Sequence, residues 1–334
     1  MKALVLCEPG RAEIKSVSEP ATTEASVRLK VRMVGFCGSD LNSFRGRNPL
    51  VSFPRIPGHE VSGTVIETSG EFAAGTNVAV SPYTSCGQCA SCRRGRPNAC
   101  QFNQTLGIQR DGAATEYLVV PRDRIYAANL TLKELCLVEP LTVGFHAIAR
   151  GRVTAEDKVA IFGCGGVGLG AVAASGFRGA MTIGIDVDDA KLQTARAAGA
   201  VHTINASGEN LHQRLAELTD GRGPDVVVEA IGLVDTLRAA VEEVAFSGRV
   251  VYIGYAKDAV AFKTQGFVQK ELDILGSRNA LPEDFQEVIR VLEEHRFPVD
   301  EAVSSIIGLE DAPRALASWS EDPSRVKKIM VRLD

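Results

Sequence analysis

The chain has 334 residues, longer than one ordinary domain and suited to two. Hydrophobic residues make up 45% and charged residues 23%, enough for sizeable cores, and the formal net charge of −4 argues against a broad basic face for nucleic acid. No run approaches the roughly 18 apolar residues of a membrane span, and MKALVLCEPG reaches acid, proline and glycine too soon for a signal peptide, so a cytoplasmic protein with reduced thiols is expected.

The first half reads as β-rich. Val27, Leu29, Val31 and Met33 alternate with Arg28, Lys30 and Arg32, the period of a half-buried strand, and run straight into GFCGSD. EVSGTVIETSG, NVAVSPY and ATEYLVVP predict further short strands between glycine, proline and polar turns. From about residue 155 the texture changes. Apolar runs at 158–162, 182–186, 202–205, 225–232, 249–255 and 272–277 alternate with helical patterns, among them Leu211, Leu215 and Leu218 on one face. Strand and helix in alternation, with β-branched runs, argue for a parallel sheet covered on both faces. Beyond 278 come one helix-like segment (Phe285, Val288, Ile289, Leu292) and a late strand-like KKIMVRL.

GCGGVG places glycines at 163, 165 and 168 after the strand-like KVAIF and before a helical segment, and TIGID ends in Asp186. The spacing suits a dinucleotide: Gly163 for the tight turn, Gly165 for approach of the pyrophosphate, and Gly168 for close packing of helix on strand. The helix N-terminus offers unpaired N–H groups, and Asp186 would accept from the ribose hydroxyls. No arginine or lysine directly follows Asp186, and a 2′-phosphate would also meet Asp188 and Asp189, which favours NAD over NADP. Gly166, Val167 and Lys191 complete the residues assigned to the cofactor. A tight strand-to-helix turn without a ligand is the plainer alternative.

Cys86, Cys89, Cys92 and Cys100 are spaced C-x2-C-x2-C-x7-C. Four thiolates at such spacing close a tetrahedral shell around zinc with no open position, which makes the knot structural. An iron–sulfur run would end C-x3-C-P, whereas here the last gap is seven residues and Gln101 follows. A nucleic-acid module, suggested by Arg93, Arg94 and Arg96, lacks interleaved aromatics. Chemistry is then expected elsewhere, at Cys37, Ser39 and Asp40 of GFCGSD, His59 and Glu60 of PGHE, and Glu139 of LVEPLTVGFHA. Cysteine, histidine and glutamate make an acceptable catalytic zinc shell with one position left open.

With GFCGSD, PGHE, the cysteine knot, VEPLTVGFHA and GCGGVG in this order, the chain resembles the zinc-dependent medium-chain dehydrogenases over essentially its whole length. The polyol, threonine and sugar-acid branches are the nearest. The resemblance implies a GroES-like β-barrel catalytic domain at 1–145, a Rossmann domain at 146–275, and a segment 276–334 that returns to the catalytic domain. It implies two zinc ions per subunit, NAD, and a homodimer or homotetramer. It puts Cys37 and His59 on the catalytic zinc, with Glu60 and Glu139 completing the site directly or through water. Asp40 then looks like the acceptor that fixes the His59 tautomer, and Ser39 like the hydroxyl that takes the substrate proton. Many members carry a histidine three residues after that serine as the far end of a proton relay; Asn42 stands there in this chain. His146 reads as a packing residue within an apolar helical pattern.

A shell containing carboxylate is harder than one of two thiolates and suits oxygen-rich substrates. LNSFRGRNPLVSFP is short of large apolar residues, so Arg45, Arg47 and Asn48 are candidates to meet hydroxyls or a carboxylate. SRNALPEDF resembles the sugar-acid branch, where Arg278 would pair with a substrate carboxylate through a bidentate fork. For these arginines a surface or interface role is the alternative. The expected activity is reversible oxidation of a secondary hydroxyl of an aldonate or polyol, with L-threonine or another small alcohol as the runner-up. A catalytically inactive NAD-sensing homologue is the reading from a different class. Neither a nucleic-acid nor a membrane partner is expected.

Overall fold

A computed structural model describes residues 1–322 and 326–333. It divides into two compact units, Met1–Glu139 with Val299–Asp334, and Pro140–Pro298.

The first unit is built on the strand Ser26–Phe36. Its apolar alternation places Val27, Leu29 and Val31 in the core while Arg28, Lys30 and Arg32 stay half-buried. This strand pairs antiparallel with Tyr117–Pro121 near its start, with Glu60–Val65 along its length, and with Ile329–Arg332 near its end. Asn77–Val80, Ile125–Ala127 and Ser305–Gly308 complete a seven-stranded sheet, and Lys2–Glu8 pairs with Arg11–Ser16 in a separate hairpin. Leu4, Leu6, Val61, Val78, Leu316, Trp319 and Val331 fill the same core, so burial of side chains more than 300 residues apart holds the unit together. Strand register positions the site residues. Gly35 lies opposite Glu60, which brings the chain leaving one strand at Cys37 beside the chain entering the next at His59.

The second unit carries a six-stranded parallel sheet in the order His202–Asn205, Met181–Asp186, Lys158–Phe162, Val226–Glu229, Arg249–Tyr252, Asp273–Gly276. Numbered along the chain this is 3-2-1-4-5-6, the doubly wound dinucleotide-binding order. Its central strands are apolar except for Lys158 at the start of one and Glu229 at the end of the other, as suits a sheet covered on both faces.

The division differs from the expected boundaries. The helix Leu132–Arg150 changes unit between Glu139 and Pro140, and residues 276–298, expected with the catalytic domain, belong to the second unit. There the amphipathic helix Pro282–Glu293 buries Phe285, Val288 and Leu292. No helix among the described residues is long and apolar enough to cross a membrane.

Candidate active site

Cys37 caps the short helix Gly38–Phe44. Its sulfur accepts from the Ser39 N–H at 3.3 Å, and the Asp40 carboxylate accepts from the Cys37 N–H at 3.0 Å. The other oxygen of Asp40 accepts from the Gly58 N–H at 3.1 Å. One fully buried carboxylate thus ties the turn carrying Cys37 to the turn carrying His59. Asp40 Oδ1 is 3.7 Å from His59 Nδ1, beyond hydrogen-bond range, so the expected tautomer-fixing bond is not formed; Asp40 reaches His59 by its charge and holds the turn through the backbone. His59 Nε2 approaches Cys37 Sγ to 3.1 Å, and Ser39 Oγ lies 2.8 Å from the same sulfur.

Two further carboxylates close the site. Glu60 is buried beneath Gly35, where an added Cβ would come within 2.1 Å of Glu60 Oε2; only glycine leaves room. Its Oε1 accepts from Lys328 Nζ at 2.5 Å across 268 residues of sequence. Glu139, 4% exposed, accepts through Oε1 from the hydroxyl of Tyr83, which is itself 5% exposed. Ligand atoms of His59, Glu60 and Glu139 lie within 4.8 Å of one another, as do those of Cys37, Asp40 and His59.

This donor set fits a divalent cation. Burial pushes the Glu139 carboxyl up to about 7, aided by the charge of Glu60 and opposed by His59, Tyr83 and Lys328. Burial would lower the His59 pKa, yet Cys37 and Asp40 hold it well above the ordinary value. Glu139 is drawn toward its protonated form chiefly by burial, and His59 toward its protonated form by neighbouring negative charge; a bound Zn²⁺ would oppose both. Lys328 balances only part of that charge. Its burial is offset chiefly by Glu60, which keeps its pKa above the usual lysine value.

The four-cysteine cluster is a separate lobe of the same unit. All four sulfurs lie within 4.8 Å of one another, and Cys89 is 3.5 Å from Cys92 and 3.8 Å from Cys100. Tetrahedral zinc with Zn–S near 2.3 Å requires sulfurs about 3.8 Å apart. Backbone N–H groups of Cys86 and Phe102 point at Cys100 Sγ, at 3.4 Å each, as they would toward a thiolate.

In the second unit the glycine loop joins Lys158–Phe162 to the helix Gly166–Phe177. Gly163 sits at φ +93°, and a Cβ on Gly168 would fall 1.7 Å from the Gly163 carbonyl oxygen, so the turn tolerates no side chain there. Gly165 precedes the helix without a side-chain cap, and nothing lies within 4 Å of where its Cβ would be. The first N–H groups therefore remain available to a pyrophosphate approaching beside Gly166 and Val167. Asp186 ends its strand largely buried. It accepts from the Cys164 N–H at 2.8 Å and from the Val187 and Asp188 N–H groups at 2.8 and 3.2 Å, which locks it against the loop. Lys191 lies in the first turn of the helix Asp189–Ala197.

The three arginines separate. Arg45 donates to Ser320 Oγ at 3.0 Å and to the Ser320 carbonyl, so it clamps the helix Ala312–Glu321 and is not a ready substrate contact. Arg47 is exposed in the first unit, and Arg278 is exposed in the second, in the turn before Pro282–Glu293. His146, expected to pack within an apolar pattern, instead makes a buried polar pair with Asp284 at 2.8 Å. Sequence reasoning missed Tyr83 and Lys328. Neither has a local signal: one follows a proline before the knot, and the other precedes the last strand.

Comparison with known proteins places this architecture. Residues 23–129 match the alcohol dehydrogenase GroES-like domain, and residues 166–294 match the zinc-binding dehydrogenase family. The chain is 34% identical to a sorbitol dehydrogenase of Bacillus subtilis (strain 168), over 83% of this chain and 81% of that protein. It is 30% identical to the L-galactonate-5-dehydrogenase of Escherichia coli (strain K12), over 90% and 89%. Among solved structures, an alcohol dehydrogenase from E. coli CFT073 complexed with NADH superposes with a TM-score of 0.91 at 28% identity, covering 100% of this chain and 99% of that one. The fold is that of a GroES-like domain joined to a Rossmann domain. The chain belongs to the zinc-dependent medium-chain dehydrogenases and is an alcohol dehydrogenase of that family.

Proposed function

We propose that this enzyme reversibly oxidises a secondary hydroxyl of a sugar acid or polyol to the ketone, with NAD as acceptor. The observation that carries the reading is that His59 is shared by two clusters of donor atoms, one with Cys37 and Asp40 and one with Glu60 and Glu139, and that Glu60 is paired with buried Lys328. With Glu60 balanced by a cation, Glu139 is the carboxylate whose charge is left for the metal. The resulting shell of one thiolate, one imidazole and one carboxylate suits an oxygen-rich substrate. Bound zinc would supply a Lewis acid that makes a substrate hydroxyl more acidic, and bound NAD would supply the hydride acceptor.

The chain's own residues do the rest. Cys37 and His59 are held in register by Asp40, so their positions are set before any ligand arrives. Ser39 Oγ, 2.8 Å from the Cys37 sulfur, receives the proton of the substrate hydroxyl. Asn42 is exposed and an amide does not titrate, so the proton leaves Ser39 by solvent. In the second unit Asp186 supports NAD over NADP, because an acid locked at this point would repel a 2′-phosphate. The L-galactonate and sorbitol relatives support the two substrate classes, and exposed Arg278 and Arg47 are the candidates to recognise a carboxylate.

The test is a matched panel of aldonates, the corresponding polyols and L-threonine, each with NAD or NADP, followed by NADH or NADPH absorbance. Turnover of aldonates or polyols with NAD is expected. Turnover confined to threonine, or to NADP, would overturn the reading.

A further inference from the structure

Tyr83 has no place in the reaction just described, yet it is buried against the metal site. Its hydroxyl donates to Glu139 Oε1. Its backbone is fixed on both sides. The Pro82 carbonyl accepts from the Leu106 N–H and from Arg110 Nη2, each at 3.1 Å. The Thr84 N–H donates to Asn103 Oδ1 at 3.1 Å, and Thr84 Oγ1 accepts from the Gln104 N–H at 2.7 Å. The segment that makes these contacts begins just after Cys100, the last cysteine of the knot, whose carbonyl accepts from the Asn103 N–H at 3.3 Å. A rigid path thus runs from the cysteine lobe through Asn103, Thr84 and Tyr83 to the Glu139 carboxylate.

We propose that Tyr83 is the positioning residue of Glu139, fixing the orientation in which its carboxylate meets the catalytic metal. The proposal rests on the reading of Glu139 as a metal ligand. A glutamate can turn about its side-chain torsions, and the phenol bond to Oε1 restricts that freedom while leaving the charge on the carboxylate. Lysine at this position would neutralise the charge, as Lys328 does for Glu60. A neutral donor orients without neutralising, which is what a ligand carboxylate requires.

The test uses Co²⁺ in place of Zn²⁺ at the catalytic site of the full chain, read by its visible spectrum and by competition with a chelator. Tyr83→Phe should weaken Co²⁺ binding about 10- to 100-fold, the usual effect of removing a partner of a metal ligand. It should also shift the visible bands, while metal in the four-cysteine lobe is retained. Glu139→Gln should alter the same spectrum, and Tyr83→Phe added to it should change nothing more. An unchanged spectrum and affinity in Tyr83→Phe, with Glu139→Gln altering both, would overturn the role of Tyr83 alone. A Glu139→Gln spectrum identical to the parent would instead overturn the ligand assignment on which it rests. Should Tyr83→Phe not fold, Asn103→Ala tests the same path: an unchanged cobalt spectrum there would overturn it.

Discussion

Glu60 and Lys328 form an ion pair enclosed by the protein. Each is almost fully enclosed, and removing one partner strands the other in a medium that cannot solvate it. Lys328→Met should therefore destabilise the protein by about 3–5 kcal/mol, the range found when one half of a buried pair is deleted. Adding Glu60→Gln should recover most of the loss, because no uncompensated charge remains. Urea unfolding of the single and double variants checks both statements, and a single variant as stable as the parent would contradict them. Cys37 and His59, the proposed metal ligands, are legible because each sits in a compact motif at a strand end. Lys328 was not, since its partner lies 268 residues away and a lysine before a strand has no distinguishing pattern.

At the scale of elements, the glycine loop is where local sequence and function coincide most closely. A methyl group on residue 168 has nowhere to go but into the Gly163 carbonyl, so the turn must open and the helix must retreat from its strand. Gly168→Ala is expected to weaken NADH binding at least tenfold, about 1.4 kcal/mol or more, in a fluorescence titration. Metal bound at Cys37 and His59 should be unaffected. Parent-like NADH affinity would show that the loop does not carry the cofactor. The alternating strands and helices of this unit were readable because a sheet covered on both faces needs continuous apolar runs. The hairpin Lys2–Glu8 with Arg11–Ser16 was not read: its first strand is a short apolar run, and its second, RAEIKS, is mostly half-exposed. In the helix Leu132–Arg150, Pro140 lies in the interior and Glu139 near the middle, a placement that no local pattern in the sequence announces.

Across the whole molecule, the chain leaves its first unit at Glu139 and returns to it at Val299. The proposed metal site draws on both passages, with Cys37, His59, Glu60, Tyr83 and Glu139 from the first and Lys328 from the second. Spacing in the sequence can announce the knot, whose cysteines fall within fifteen residues, but not a site gathered over nearly 300. Two metal sites with separate duties are therefore expected, a closed one that holds a lobe and an open one that does chemistry. Zinc per chain and NADH formation, measured together on the parent and on Cys37→Ser, test this most directly. The expected result is two zinc ions in the parent, one in the variant, a folded variant with its four-cysteine site still filled, and no turnover. A Cys37→Ser protein that keeps both ions and still oxidises its substrate would contradict it.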